Sequence, residues 1–171
     1  MNVIGRMNAL DCVGEDDVMS LRIICTLARN HKYNIEELDK YGNTALLKAC
    51  YLGKFECARV LLDIGANIYA INYFGQNALT LATYAGHLQL VVELLRRRPY
   101  QDFNLSSLTP AACVAAMRQH KALEDYFMRL DPMGTPALQT VHGLGINSLR
   151  HMVKSKLKTK QSKPIFINII K

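Results

Sequence analysis

Residues 42–72 of this 171-residue chain recur at a constant offset of 33 residues, and no other feature restricts the fold so sharply. Gly42 maps to Gly75, Ala45-Leu46 to Ala78-Leu79, Ala49 to Ala82, Tyr51 to Tyr84, Gly53 to Gly86, and Leu61-Leu62 to Leu94-Leu95. Backwards, Asn67-Ile68 maps to Asn34-Ile35 and Ala58 to Cys25. A unit this short cannot enclose a core of its own. Tandem copies must therefore bury their apolar faces against one another.

Local chemistry predicts what each copy contains. Thr44 stands where an N-cap belongs, its hydroxyl able to accept from the first free amides, and Leu46, Ala49 and Cys50 follow at helical spacing. Gly53 closes that helix. Phe55, Ala58, Leu61 and Leu62 form the apolar stripe of a second helix, stopped at Gly65. A degraded third copy begins at Thr109-Pro110, with Leu123, Tyr126 and Phe127 standing where Ala58, Leu61 and Leu62 map. There the offset from the second copy slips to 32, and Arg118 takes the place of the closing glycine. Residues 7–13 and 18–29 predict a further helix pair, joined through Gly14-Glu15-Asp16-Asp17.

The stretch from Gly42-Asn43-Thr44-Ala45-Leu46 to Gly65-Ala66-Asn67 resembles the ankyrin repeat, whose pattern is G-x-T-P-L-H-x-A-A-x-x-G-H-x-x-x-V-x-L-L-L-x-x-G-A. The second copy keeps Gly86-His87 and Leu94-Leu95. The resemblance implies an all-α solenoid of stacked antiparallel helix pairs with β-hairpin-like finger loops. It also implies a structural role for His87. On this reading 1–34 is an N-terminal cap, and 35–131 holds the repeats: good copies at 39–71 and 72–104, and a degenerate one at 105–131. Residues 132–153, with Gly134-Thr135-Pro136-Ala137-Leu138, form a C-terminal cap, and 154–171 form a basic flexible tail. Two departures stand out. Where the pattern has Thr-Pro-Leu-His, this chain has Thr44-Ala45-Leu46-Leu47 and Asn77-Ala78-Leu79-Thr80, so the inter-repeat hydrogen bonds of that histidine should be lost and the fold should be marginal. Arg96-Arg97-Arg98-Pro99 replaces the glycine turn, with Pro99 ending the helix and the arginines suiting its negative end.

Charge is unevenly placed. The formal +7 arises wholly after residue 131, because up to that point 14 Lys and Arg meet 14 Asp and Glu. The surplus lies in Arg150, Lys154, Lys156, Lys158, Lys160, Lys163 and Lys171. Five cysteines form no Cys-x-x-Cys pair, the polar Met1-Asn2-Val3-Ile4-Gly5-Arg6 start is unlike a secretory leader, and no apolar run is long enough to span a bilayer. The expectation is a cytoplasmic or nuclear protein, neither secreted nor transmembrane.

Catalytic chemistry is sparse. His31, His87, His120, His142 and His151 are scattered without a carboxylate or thiol at triad or metal-ligand spacing. Cys50, Cys57 and Cys113 read as small buried side chains. Gly143-Leu144-Gly145 lacks the preceding strand and third glycine of a dinucleotide loop. No cofactor, metal or small-molecule substrate is expected, and the chain reads as a non-enzyme.

The resemblance instead directs attention to the variable positions that line the concave finger and first-helix surface. Here they are Lys40, Tyr41, Asn43, Tyr51, Leu52, Ile71, Tyr73, Phe74, Gln76, Tyr84 and Ala85. Five of these eleven are aromatic against 13 Tyr and Phe in 171 residues, an enrichment of about sixfold. Such side chains bury large areas at small entropic cost. The pairs Tyr41/Phe74 and Tyr51/Tyr84 are each 33 apart and should form ladders, as partner contacts or as packing between repeats.

The leading functional reading is a protein-protein interaction module, a scaffold or adaptor whose partner docks on this surface. The alternative is binding of nucleic acid or an acidic membrane, or nuclear targeting, through Lys154, Lys156, Lys158, Lys160 and Lys163. Salt and truncation separate the two. On a heparin column the full chain should elute at higher salt than a chain ended after Val153, because polyanion binding scales with the cations engaged. Equal elution would show that the tail is not the polyanion site.

Overall fold

The structure is a computed structural model that describes residues 8–29 and 33–130. The C-terminal cap, the basic tail, His31, His142 and His151 lie outside the described residues. Among the described residues there are nine helices: α1 (Ala9–Glu15), α2 (Val18–Arg29), α3 (Ala45–Leu52), α4 (Phe55–Asp63), α5 (Ala78–Ala85), α6 (Leu88–Arg97), α7 (Tyr100–Ser106), α8 (Ala111–Arg118) and α9 (Lys121–Leu130). No strand is found among them beyond an isolated antiparallel bridge between Ile71 and Asn77. The chain divides into two units at Ala111/Ala112.

In the first unit, α1, α3 and α5 pack in a row, α2, α4 and α6 form a second row, and each first helix lies against its own second helix. The all-α stack of helix pairs expected from the 33-residue period is thus observed. The starts of α1, α3 and α5 follow from single capping residues. The Thr44 hydroxyl accepts from Leu47 N at 3.3 Å, and in the next copy Asn77 Oδ1 accepts from Thr80 N at 2.9 Å. Asn8 and Asp11 form a reciprocal capping box at the start of α1. Apolar side chains at i, i+3 and i+4 then face the neighbouring repeat. Leu21, Ile24, Leu46, Leu47, Leu61, Leu79, Val91 and Leu94 are all fully buried. Each contributes about 1.5–3 kcal/mol by leaving water.

Three features depart from the sequence reading. A seventh helix, α7, occupies the stretch expected to hold the end of the second copy and the start of the third finger. Arg98 is extended and Pro99 fixes the chain at φ −65°, which ends α6. Tyr100 and Phe103, three apart, then turn inward, with the Phe103 ring centroid 5.9 Å from that of Tyr69 and the two rings tilted by 50°. Next, the third copy keeps the 33-residue register in place of the expected 32. Its first helix α8 runs 33 residues after α5, and Gln119, at φ +60°, takes the left-handed position that Gly86 holds in the second copy. Arg118 is the last helical residue.

The third departure concerns polar contacts between repeats. Leu47 does bury an aliphatic side chain where the family has histidine. At the equivalent Thr80, however, the hydroxyl meets Ser107 Oγ at 2.9 Å, and Asn77 Nδ2 donates to Phe103 O at 2.7 Å and Ser106 Oγ at 3.0 Å. The second repeat therefore retains a polar link to α7 and the turn after it, made by different residues.

The arginine run is engaged as well. Glu93, only 7% exposed, receives Arg96 and Arg97, while Arg97 also reaches back to Asp63 of the previous repeat at 2.6 Å. The Arg96 guanidinium, with Arg97 beside it, holds the Glu93 carboxyl below the usual carboxylate range against the opposing effect of burial. A depressed folded-state pKa means that this contribution is present above the unfolded carboxylate value and is lost as pH falls through the folded one. Glu93→Gln should lower stability at pH 7 by about 1–3 kcal/mol and flatten the acid side of the stability profile. Urea unfolding at a series of pH values checks this, and an unchanged profile would rule the clamp out.

Candidate protein-binding surface

The fingers are held by their own side-chain network. In the first, Asp39 accepts from Tyr41 N, Asn43 N and Asn43 Nδ2 at 2.8–3.0 Å. In the second, Asn72 plays the same part: its Oδ1 accepts from Phe74 N and Gln76 N, and its Nδ2 donates to Gln76 Oε1 and, across to the first finger, to Asn43 Oδ1. Tyr73 N also donates to Tyr41 O at 3.1 Å. The amides of Asn43 and Gln76, expected as partner contacts, are thus engaged in holding the fingers in register.

The aromatic side chains remain largely outside. Tyr73 is 70% exposed, Tyr41, Tyr51, Leu52 and Ile71 are exposed, and Phe74 and Tyr84 are half-buried. Both expected ladders form: the Tyr41 and Phe74 rings lie 6.4 Å apart, as do those of Tyr51 and Tyr84. Lys40 Nζ sits 4.9 Å from the Tyr41 ring centroid, a cation over an aromatic face. The set divides into a finger group around Tyr41, Tyr73 and Phe74, and a helix-end group of Tyr51, Leu52 and Tyr84. His87 supports the second group. Its Nε2 lies 3.2 Å from Tyr51 O, and its ring lies against Gly53. That contact is the structural role the repeat pattern implies.

Two apolar residues escaped the sequence reading. Leu108 is 82% exposed and Leu105 is 90% exposed. Leu108 stands at the 33-residue equivalent of Gly75, so the repeat pattern gave no reason to expect a large side chain there. Its position mirrors that of Tyr73. Tyr73 covers Gly42, where an added Cβ would fall 2.6 Å from its ring, and Leu108 covers Gly75 so closely that a Cβ would collide with Cδ1 and Cγ. Leu108 N donates to Gly75 O at 3.0 Å. Both glycines hold positive φ, +77° and +70°, so any larger residue would be strained as well as crowded.

The profile described as ankyrin repeats (3 copies) matches residues 17–107, more than half of the chain. The chain belongs to the ankyrin-repeat family. Among similar proteins, DNA replication inhibitor plutonium of Drosophila melanogaster is 63% identical over 170 residues, 96% of this chain and 98% of that protein. Ankyrin repeat domain-containing protein 13B of Homo sapiens is 44% identical over 73 residues, which cover 43% of this chain and 12% of the relative. Notch-regulated ankyrin repeat-containing protein of Xenopus tropicalis is 28% identical over 92 residues, 54% of this chain and 81% of its own length. Ankyrin repeats imply protein-protein interaction.

Other chemistries find little support among the described residues. No group of His, Cys, Asp and Glu is arranged to hold a metal ion, and no helix is long and apolar enough to cross a membrane. Cys12, Cys25, Cys50 and Cys57 are buried thiols. Burial pushes Cys50 up to about 12 and Cys113 to about 11, and burial with the nearby Asp16 carboxylate pushes Cys57 to about 11. Thiols so shifted stay protonated at neutral pH and are poor nucleophiles. In native protein at pH 7, the four buried thiols should react with Ellman's reagent only on the timescale of unfolding. Rapid labelling of any of them would contradict this.

Proposed function

We propose that this chain is a non-enzymatic inhibitor of DNA replication that acts by holding a protein partner on its finger and first-helix surface, through Lys40, Tyr41, Tyr51, Leu52, Ile71, Tyr73, Phe74 and Tyr84. The observation that carries the reading is the near full-length 63% identity to a relative named as a replication inhibitor, together with an aromatic ladder left outside the packed stack. Large apolar side chains exposed in a row on a small protein mark an interaction surface. Neither the family description nor the relatives' names denote an enzyme. Action in the cytoplasm or nucleus follows from a replication target. The scaffold is proposed to be the repeat region, 35–131, under its N-terminal cap, with Asn43 and Gln76 setting finger geometry.

A cell-free replication extract tests this directly. Added full-length chain should reduce incorporation of labelled deoxynucleotide. Tyr73→Ala with Phe74→Ala should raise the half-inhibitory concentration by about tenfold or more, the usual effect of losing buried aromatic anchors. A circular dichroism melt close to that of the parent would show the fold intact. Full inhibition by a folded double variant would remove the finger surface from the mechanism, and no inhibition by the parent chain would refute the function.

A further inference from the structure

The finger tips form a row of graded chemistry across successive repeats. Tyr73 lies over Gly42 of the preceding finger, and Leu108 lies over Gly75. The residue that precedes Tyr73 by 33 is Lys40, exposed on the first finger with its ammonium above the Tyr41 ring. Along the stack the row therefore runs cation, aromatic, aliphatic. Residues 69–77 and 104–110 contain no charged side chain, and in the matching stretch of the first finger, 36–44, Glu36, Glu37, Asp39 and Lys40 are charged, so Lys40 is the one cation of the three fingers. The Asp39 carboxylate is turned into the Tyr41 and Asn43 amides and Glu36 accepts from Asn67 N, while Lys40 and, three residues before it, Glu37 are exposed.

We infer that Lys40, Tyr73 and Leu108 together receive an extended segment of the partner protein that carries a carboxylate at one end and apolar side chains at two further positions along it. This rests on the protein-binding reading above and specifies the partner's chemistry. An apolar segment without an acid would strip water from Lys40 and leave it unpaired. Neighbouring helices pack about 8–10 Å apart, and an extended chain advances about 3.3 Å per residue, so one repeat corresponds to about three residues of the partner. The motif is thus Asp or Glu, then an apolar residue about three positions on, and another about three beyond that.

A phage-displayed library of random peptides, about twelve residues long so that an extended peptide spans three repeats, provides the probe. It is panned on the immobilised full chain and counter-selected on Tyr73→Ala with Leu108→Ala. Enriched sequences should carry the acid-led motif, and panning on Lys40→Glu should replace the acid with Lys or Arg at the same place. The inference is overturned by a consensus without an acid, by a seven-residue spacing that indicates a helix, by enrichment equal to that on the double variant, or by an unchanged preference on Lys40→Glu. The three side chains are exposed, so each variant should melt as the parent does. The replication assay separates the two readings. If Lys40→Glu inhibits as the parent does while Tyr73→Ala with Phe74→Ala fails, the acid-led motif falls and the proposed function stands. If the parent chain selects the motif but does not inhibit, the motif stands and the proposed function falls.

Discussion

Everything in the first unit depends on burial between repeats. A pair of short antiparallel helices leaves one face of each helix apolar and open, and that face becomes core only when the next pair covers it. Leu46 and Leu47 on α3, Leu79 on α5, Leu61 on α4 and Leu94 on α6 reach zero or near-zero exposure in this way. Non-directional burial alone would allow neighbouring pairs to slide. Directional bonds fix the register: Asn72 to Asn43, Tyr73 N to Tyr41 O, His87 to Tyr51 O, and Arg97 to Asp63. Each joins a residue to one about a repeat away. The fingers are therefore a geometric consequence of the stacked helices, and the side chains they present are aligned before any partner arrives.

That alignment bears on function. The described part of the chain has almost balanced charge, and the Arg96–Arg98 run, which could have been a polyanion site, has two of its members engaged with Glu93 and Asp63. What remains outward on the fingers is mostly apolar, with Lys40 and Glu37. Burial keeps the Cys50 and Cys57 thiols protonated and away from solvent.

Much of the fold was legible in the sequence because repeat architecture depends on local residues at fixed spacing. Thr44, Gly53, Gly65 and Gly86 marked helix ends, and the structure places caps or turns at each. The ladders Tyr41/Phe74 and Tyr51/Tyr84 followed from the period itself, since equal positions on adjacent units must be neighbours. Legibility failed where the pattern was broken. Thr109-Pro110 imitates the family's helix start and suggested a register one residue short, whereas the left-handed Gln119 shows that the 33-residue spacing persists. Helix α7 was hidden because Tyr100 and Phe103 make only a single inward turn, and what stabilises it, Tyr69, lies thirty or more residues earlier in the chain.

The sequence by itself determined the all-α stack, its period, the charge separation between body and tail, and which aromatic residues would be neighbours. All of these depend on spacing along the chain. Only the tertiary structure decided which polar side chains hold the fingers and which stay outward. Asn43 and Gln76 turned into the finger network, Thr80 and Asn77 took over the inter-repeat bonds expected to be lost, and Leu108 came to rest on Gly75 beside the row begun by Lys40 and Tyr73. The reason is geometric: a hydrogen bond or a close contact across repeats depends on sub-ångström positions set by packed helices, and periodicity fixes neighbours without fixing which of their atoms meet.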